Sequence, residues 1–208
     1  MKHTKLASLC LATAGLLAAV NPAAAVTVDL NSLSLGDSTS IETGAPGFGD
    51  DGPVTVNWNP TSAGASEVLF WNGGYSGRNA GWCQVDASCL IDLTVASGFE
   101  ITLDSFSLGG YLNTDRTIAW SVTDLATNIA IAGSHLVSGL TGTVIAPGLT
   151  SGTGFRISFG PDGYNGGITQ IDYSYARVAA VPLPAAGFLL LGALGGMAAL
   201  RRRKAVTI

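Results

Sequence analysis

The stretch WNGGYSGRNAGWCQVDASC, residues 71–89, collects side chains suited to holding a small polar ligand. Among its glycines we single out the rings of Tyr75 and Trp82, the amides of Asn79 and Gln84 and the guanidinium of Arg78. A ring gives apolar contact to a sugar face, and donors at its edge select the hydroxyl groups. We therefore treat the segment as a candidate ligand loop for a neutral sugar. The alternative is that it folds back and its rings cover the domain's edge. Trp71 closes an apolar run and is better explained as a core residue.

Few residues suited to catalysis occur between residues 26 and 180. His135 is the single histidine of this segment and ends a predicted strand, where a solvated or structural role is expected. Nucleophilic catalysis needs a base within hydrogen-bond reach of a hydroxyl or thiol, and glycoside hydrolysis needs two facing carboxylates. The fourteen aspartates and glutamates follow no motif that pairs two of them. The sequence therefore predicts a non-catalytic domain.

The N-terminus has the three parts of a secretory signal peptide. A lysine-containing beginning precedes an apolar run over residues 6–20, and the small residues 23–25 follow a break at Asn-Pro. This layout predicts export, with signal peptidase cutting between Ala25 and Val26. Residues 1–25 are then the signal peptide.

Cys83 and Cys89, in CQVDASC, are the two cysteines that remain after this cleavage. An even pair in an oxidising compartment predicts a disulfide. A metal or redox pair is the weaker alternative, because the spacing is not that of a CxxC motif and no histidine is near.

The segment 26–180 is strongly acidic. Fourteen acidic residues against four arginines give it a net charge of −10, where the whole chain has −4. Such a surface repels phosphate backbones, which excludes nucleic acid as a partner. A single histidine and the absence of a free cysteine, once Cys83 and Cys89 are paired, exclude zinc. No cofactor is predicted, and the metal left open is a structural calcium held by aspartate and carbonyl oxygens in the loops.

Hydrophobic alternation predicts an all-β domain over residues 26–180. Ile91, Leu93 and Val95 share one strand face, and the phase of alternation changes near Asp104, which predicts a β-bulge. Further strands are expected around 26–30, 54–58, 67–71, 101–108, 116–122, 128–134, 142–146, 155–159 and 173–175. Glycine-rich turns separate these strands, and no helical period occurs. The pattern indicates an antiparallel two-sheet sandwich of the jelly-roll type.

The C-terminal stretch VPLPAAGFLLLGALGGMAALRRRK, residues 181–204, predicts a single transmembrane helix. The uncharged residues from about 185 to 200 make about 24 Å of helix, which is slightly short for a bilayer core of roughly 30 Å. The basic residues 201–204 fix that end in the cytoplasm. On these grounds alone, a permanent type I membrane anchor explains the tail.

The same stretch resembles the VPLPA variant of the PEP-CTERM sorting signal. The matching residues are Val181, Pro182, Leu183, Pro184 and Ala185 and, beyond the span, Arg201, Arg202, Arg203 and Lys204. Such tails are recognised by exosortases, which are membrane proteases thought to process the tail. The resemblance implies a Gram-negative bacterium, an inner-membrane anchor before processing, and a final place in the cell envelope or extracellular matrix.

Residues 98–111, 116–134 and 154–176 are similar to the strand pattern of galactose-binding-like carbohydrate modules. Those modules are jelly rolls that bind sugars at loop ends or on a sheet face, sometimes with a structural calcium. No binding motif of that family maps onto this sequence, so the resemblance assigns no residue a role.

Two functions of different class fit these observations. One is a module that binds exopolysaccharide at the cell surface, and the other is a structural envelope or biofilm-matrix protein without a sugar site. Aromatic side chains exposed in loops favour the first, and wholly buried ones favour the second.

Overall fold

The computed structural model describes residues 23–61, 65–84 and 88–179, together with three helical positions at 193, 194 and 197. The chain divides into two units, and the domain is the unit Val20–Val178. The second unit comprises Met1–Ala19 and Ala179–Ile208, so most of the signal peptide, the motif 181–185 and the basic end 201–204 lie outside the described residues. In the part of the chain that the structure describes, no helix combines the length and apolar character needed to cross a membrane.

The described residues of the domain form thirteen strands, one turn of α-helix and one of 3-10 helix. The strands are β1 Ala24–Asp29, β2 Val54–Asn57, β3 Ala65–Ser66, β4 Leu69–Tyr75, β5 Arg78–Trp82, β6 Ser88–Val95, β7 Phe99–Gly110, β8 Arg116–Asp124, β9 Ala130–Val137, β10 Thr143–Ile145, β11 Leu149–Ser151, β12 Gly154–Phe159 and β13 Gly166–Arg177. The 3-10 turn is Leu30–Ser32 and the helix α1 is Ile41–Gly44. β1 begins two residues before the predicted mature N-terminus, Val26, and Ala25 lies within it.

The strands form two sheets. The first sheet has seven strands in the order β10-β7-β13-β5-β4, with β1 also on β13 and β11 also on β7. The second sheet has six strands in the order β2-β6-β12-β8-β9, and the short β3 runs parallel to β6. The other strand pairs are antiparallel, so the predicted two-sheet sandwich is confirmed.

Alternating side chains from both sheets fill the core. In β6 and β12, Ile91, Leu93 and Ile157 are fully buried, and in β7 Ile101 and Phe106 face them from the other sheet. Period-two alternation sends every second side chain inward, and this is why the sequence pattern located these strands.

The change of phase in β7 is a β-bulge, as predicted. Leu103 pairs with Tyr173 and Ser105 pairs with Asp172, so Asp104 has no partner of its own on β13. The extra residue restores the inward direction for Phe106, which is completely buried. A second bulge lies in β13, between Ile168 and Gln170.

The predicted disulfide is confirmed. Cys83 and Cys89 are bonded, and both residues are fully buried in the core. Cys83 follows β5 in the first sheet and Cys89 belongs to β6 in the second. The bond therefore links the two sheets where the chain crosses between them.

Candidate functional site

The predicted ligand loop is largely a β-hairpin, which corrects the sequence interpretation. Tyr75 ends β4 and Trp82 ends β5, and Ser76 and Gly77 turn between the strands with φ of 52° and 73°. Two successive residues with positive φ make the tight turn that suits a twisted hairpin. Between Trp71 and Tyr75 the register shifts, which leaves residues 72–74 bulged out of the ladder.

Five aromatic rings pack together on the outer face of the first sheet. We call Trp71, Tyr75, Trp82, Tyr111 and Tyr164 the aromatic cluster. Ring centroids are 5.8 Å apart for Trp71 and Trp82, 5.9 Å for Trp71 and Tyr111, 5.4 Å for Trp82 and Tyr164, 5.1 Å for Tyr75 and Tyr111 and 4.7 Å for Tyr111 and Tyr164. Most pairs meet edge to face, an arrangement worth about 0.5–1.5 kcal/mol per pair beyond the buried area.

Burial divides the cluster into a base and a surface. Tyr75 is 0% exposed and Trp82 is 8% exposed, so the prediction that these two rings stand free in a loop is wrong. They form the base of the cluster. Trp71 and Tyr164 are half-buried, and Tyr111 lies between them at 9% exposure. The rings open to solvent are therefore chiefly Trp71 and Tyr164.

The sequence held signals for both rings. Phe70 is buried in the core, so its neighbour Trp71 in the same strand must point to the opposite face. Assigning Trp71 to the core together with its apolar neighbours ignored this alternation. Tyr164 stands in PDGYNGG, a glycine-rich turn in which an aromatic side chain has no local packing reason to occur.

Hydrogen bonds hold the base of the cluster. The Tyr75 hydroxyl donates to the Tyr164 carbonyl at 2.7 Å, and Trp82 Nε1 lies 3.4 Å from the Phe70 carbonyl. Burial raises the pKa of Tyr75, and hydrogen bonding with Tyr164 raises the pKa of Tyr111. Both phenols are therefore uncharged at neutral pH, and the cluster presents an apolar, neutral surface.

Trp71 differs from the other three tryptophans in its indole N–H. The indoles of Trp58, Trp82 and Trp120 each donate a hydrogen bond within the domain. Trp71 Nε1 has no acceptor among the described residues. A half-buried ring with a free donor at its edge has the two properties that sugar recognition needs.

Two glycines let the backbone approach the rings. A Cβ on Gly74 would lie 2.6 Å from Trp71 Nε1, and one on Gly167 would lie 2.9 Å from the Tyr75 ring. Any side chain at these positions would push the rings out of place.

The predicted donors Arg78, Asn79 and Gln84 differ in their placement. Arg78 and Gln84 are exposed. Asn79 is a structural residue instead, because its side-chain amide lies 3.5 and 3.4 Å from the carbonyls of Leu30 and Leu33 and its oxygen accepts from the Gly73 N–H at 3.0 Å.

Ser76 fixes the hairpin against the neighbouring loops. Its hydroxyl donates to the Ser138 carbonyl at 2.7 Å and accepts from the Gly110 N–H at 3.0 Å. The Gly77 N–H donates to Asn113 Oδ1 at 2.6 Å. Because Tyr111 follows Gly110 directly, these bonds also hold a ring of the cluster in position.

The histidine of the domain has a structural partner. Trp120 Nε1 donates to His135 Nδ1 at 2.8 Å and the two rings stack, in agreement with the structural role expected for His135. Within the described ranges, no group of three or more His, Cys, Asp or Glu side chains could hold a metal ion. A shallow cleft of about 140 Å³ lies beside Pro161 and Asp162, smaller than an ordinary ligand pocket.

Comparison with known proteins gives little further information. No protein-family model and no curated protein matches the chain. One solved structure that it resembles is TmCBM61, a carbohydrate-binding module in complex with β-1,4-galactotriose. The match covers 67% of this chain and 94% of that chain at 16% identity, with a TM-score of 0.28. A likeness this weak assigns no residue of the domain a role.

Proposed function

We propose that the domain is a non-catalytic module that binds neutral sugars of an extracellular polysaccharide on the exposed side of the aromatic cluster. The observation that carries the proposal is the pair of half-buried rings, Trp71 and Tyr164, seated on a base of buried rings. A ring that is already fixed loses little conformational entropy on binding. Trp71 Nε1, which has no acceptor among the described residues, and the phenol of the half-buried Tyr164 would supply hydrogen bonds for sugar hydroxyl groups.

The negative charge of the domain favours neutral sugars over acidic ones as ligands. The domain carries −10 from fourteen acidic residues and four arginines. An acidic polysaccharide would meet long-range repulsion, and a neutral one would not. Neutral hexose polymers are therefore the expected ligands.

A structural role without sugar binding is the second candidate. The observation that favours it is the packing of the rings against one another, since edge-to-face contacts and the burial of Tyr75 and Trp82 already stabilise the first sheet. In that case the cluster closes the outer face of the sheet and Trp71 contributes only to stability.

Replacing Trp71 by alanine distinguishes the two candidates. We expect the domain, residues 23–179, to bind a neutral polysaccharide on a glycan array, and the variant to bind it at least about tenfold more weakly because the stacking surface is lost. The measurement is titration calorimetry with the best array ligand, with and without calcium. Thermal melting of both proteins shows whether the loss is one of binding or of folding.

Trp120→Ala is the matched control, because Trp120 is also half-buried but lies in the second sheet, away from the cluster. Its affinity for the sugar should equal that of the unchanged domain. Equal affinity of the Trp71 variant, or no neutral glycan bound by the unchanged domain, would contradict the proposal. A large loss of melting temperature without any sugar binding would support the structural role.

The localisation of the protein is part of the same proposal. We infer export by the signal peptide 1–25, retention by the span at about 185–200 and recognition of residues 181–185 by an exosortase, with the domain ending in the envelope or extracellular matrix. The N-terminal layout, the proline-bounded motif and the basic end support this inference. A permanent type I anchor is the alternative.

The sorting signal is tested by changing Pro182 and Pro184 to alanine in the full chain. We expect the tagged protein to lose its tail in a host with the cognate exosortase, and the variant to keep it, because the extended peptide that the enzyme grips becomes able to form helix. Intact mass of membrane and secreted fractions measures the outcome. Both proteins should insert into the membrane equally well. If the unchanged protein keeps its tail in the host with the exosortase, the sorting proposal is wrong and the tail is a permanent anchor.

A further inference from the structure

One stretch of the chain, at an edge of the sandwich, has no charged side chain of its own. Residues 125–155 contain no Asp, Glu, Lys or Arg, although the domain as a whole carries −10. These residues include β9, β10 and β11, which lie at the edges of the two sheets.

The same edge exposes large apolar side chains. Five of them lie between residues 129 and 144: Ile129, Ile131, Leu136, Leu140 and Val144. Their exposed fractions run from 37% for Ile131 to 82% for Leu140. Exposed apolar groups gathered in one region of a surface mark an interaction site.

β9 is an open edge strand without the usual protection. Among the strands that the structure describes, it pairs with β8 alone, in an unbroken register from Arg116–Val137 to Thr123–Ala130. It has eight residues and contains neither proline nor a bulge nor a lysine. Three other edge strands are guarded, since β4 is bulged at residues 72–74, β2 has four residues and follows Pro53, and β10 has three residues. Natural sheets avoid unguarded edges because these pair with other chains.

The backbone direction of β9 follows from one hydrogen bond. The Asp124 N–H donates to the Ile129 carbonyl at 3.0 Å, so residues 131, 133 and 135 also turn their backbone groups toward β8. The N–H and C=O groups of Ala130, Ala132, Ser134 and Leu136 therefore face away from the sheet. The Leu136 carbonyl has a weak contact at 3.5 Å with the Thr143 hydroxyl.

We propose that β9 pairs antiparallel with β9 of a second copy of this chain, joining two second sheets into one continuous sheet. Placing Gly133 opposite Gly133 of the other copy sets Ala132 against Ser134 and Ala130 against Leu136, so every outward backbone group of the strand has a partner. Ala132 and Ser134 are exposed, and Gly133 adds no side chain at the twofold axis. The strand is thus complementary to itself in length and in direction.

Charge favours a second copy as the occupant. Two domains that each carry −10 repel wherever their acidic surfaces meet, and residues 125–155 add no charge of their own to this repulsion. A charged partner of another kind would find no residue of opposite charge on β9, because the strand contains no Asp, Glu, Lys or Arg. Association should therefore strengthen as added salt screens the remaining surface.

Two double variants that differ at a single residue test the pairing. Ala132→Lys with Ser134→Lys places like charges directly opposite each other across the axis, and Ala132→Lys with Ser134→Glu places opposite charges there. Both residues are exposed in the isolated domain, so folding should be unaffected. We expect the unchanged domain, residues 23–179, to dimerise, the Lys/Lys variant to dimerise at least about tenfold more weakly, and the Lys/Glu variant to dimerise at least as tightly.

Sedimentation velocity over a concentration series, at low and high salt, gives the dimerisation constants. A domain that stays monomeric at millimolar concentration overturns the proposal. So does a dimer that the Lys/Lys variant leaves intact, or one that both variants weaken alike, because the copies would then meet elsewhere or in another register. Circular dichroism of each variant confirms that the comparison is between folded proteins.

Discussion

Replacing Trp58 by alanine is expected to lower the free energy of unfolding of the domain by about 5 kcal/mol, the upper end for a large aromatic residue. Trp58 is 1% exposed and its ring stacks on Phe48, with centroids 5.7 Å apart. Its Nε1 donates to the Phe48 carbonyl at 2.7 Å, and its backbone N–H donates to the Glu42 carboxylate at 2.8 Å. The truncation leaves a cavity and also an unsatisfied carbonyl, and both effects are unfavourable.

Trp58→Phe is the matched control. A phenyl ring retains most of the stacking on Phe48 but cannot donate to its carbonyl, so a loss of roughly 2 kcal/mol is expected. Urea denaturation followed by fluorescence and circular dichroism measures both values. If Trp58→Ala lowers the free energy of unfolding no more than Trp58→Phe does, Trp58 is not a core residue. The described packing of segment 41–50 against β2 is then wrong.

Gly154→Ala is the second change with a large expected effect, a loss of about 4 kcal/mol or roughly 10 °C in melting temperature. Gly154 begins β12 with φ of 136°, a conformation that residues with a side chain rarely adopt. A Cβ there would overlap the Leu93 carbonyl oxygen and lie 2.8 Å from Thr94 Cα. Backbone atoms within a hydrogen-bonded ladder cannot move aside. The added methyl group is therefore expected to weaken the pairing of β12 with β6.

Gly152→Ala serves as the comparison, two residues away in the same turn. A Cβ at Gly152 would meet no atom within 4 Å, and the residue is exposed. The free energy of unfolding of the Gly152→Ala domain should change by less than about 1 kcal/mol. The change should be an increase, because alanine reduces the conformational entropy of the unfolded chain. Similar melting temperatures for the two variants would show that the backbone at Gly154 is not constrained as described.

The strands that alternate cleanly were predictable from the sequence. β6 and β12 carry a buried residue at every second position, and in β8 the half-buried Trp120 stands between the buried Ile118 and Val122. A single phase change was enough to locate the bulge at Asp104. In these elements local alternation and tertiary burial agree, because each strand packs one face on the core.

The hairpin of β4 and β5 was not predictable in the same way. Its glycines suggested a loop, yet at Gly74 and Gly81 the reason for glycine is that a neighbouring ring or side chain approaches the backbone closely. Gly81 shows this: a Cβ on it would lie 2.8 Å from the Val68 side chain. Composition alone does not distinguish a glycine that turns the chain from one that makes room for a neighbour, since the difference depends on which strand packs alongside.

The aromatic cluster was located approximately and its members were partly misassigned. The sequence drew attention to residues 71–89, but Tyr111 and Tyr164 come from distant parts of the chain and meet the hairpin through the order of strands in the first sheet. Alternation with Phe70 indicates that Trp71 faces away from the core, but the burial of Trp82 beside it depends on the register of β4 on β5.

The pairing of β1 with β13 places both chain ends of the domain on the same side of the first sheet. Ala24 lies opposite Tyr175, so the chain enters and leaves the sandwich at the same corner. Gly166, at the other end of β13, is eleven residues from Arg177, or roughly 35 Å at ~3.3 Å per residue. The rings beside Gly167 therefore stand at the end of the sheet opposite both chain ends of the domain, so the surface proposed to bind sugar lies about one strand length from either of them.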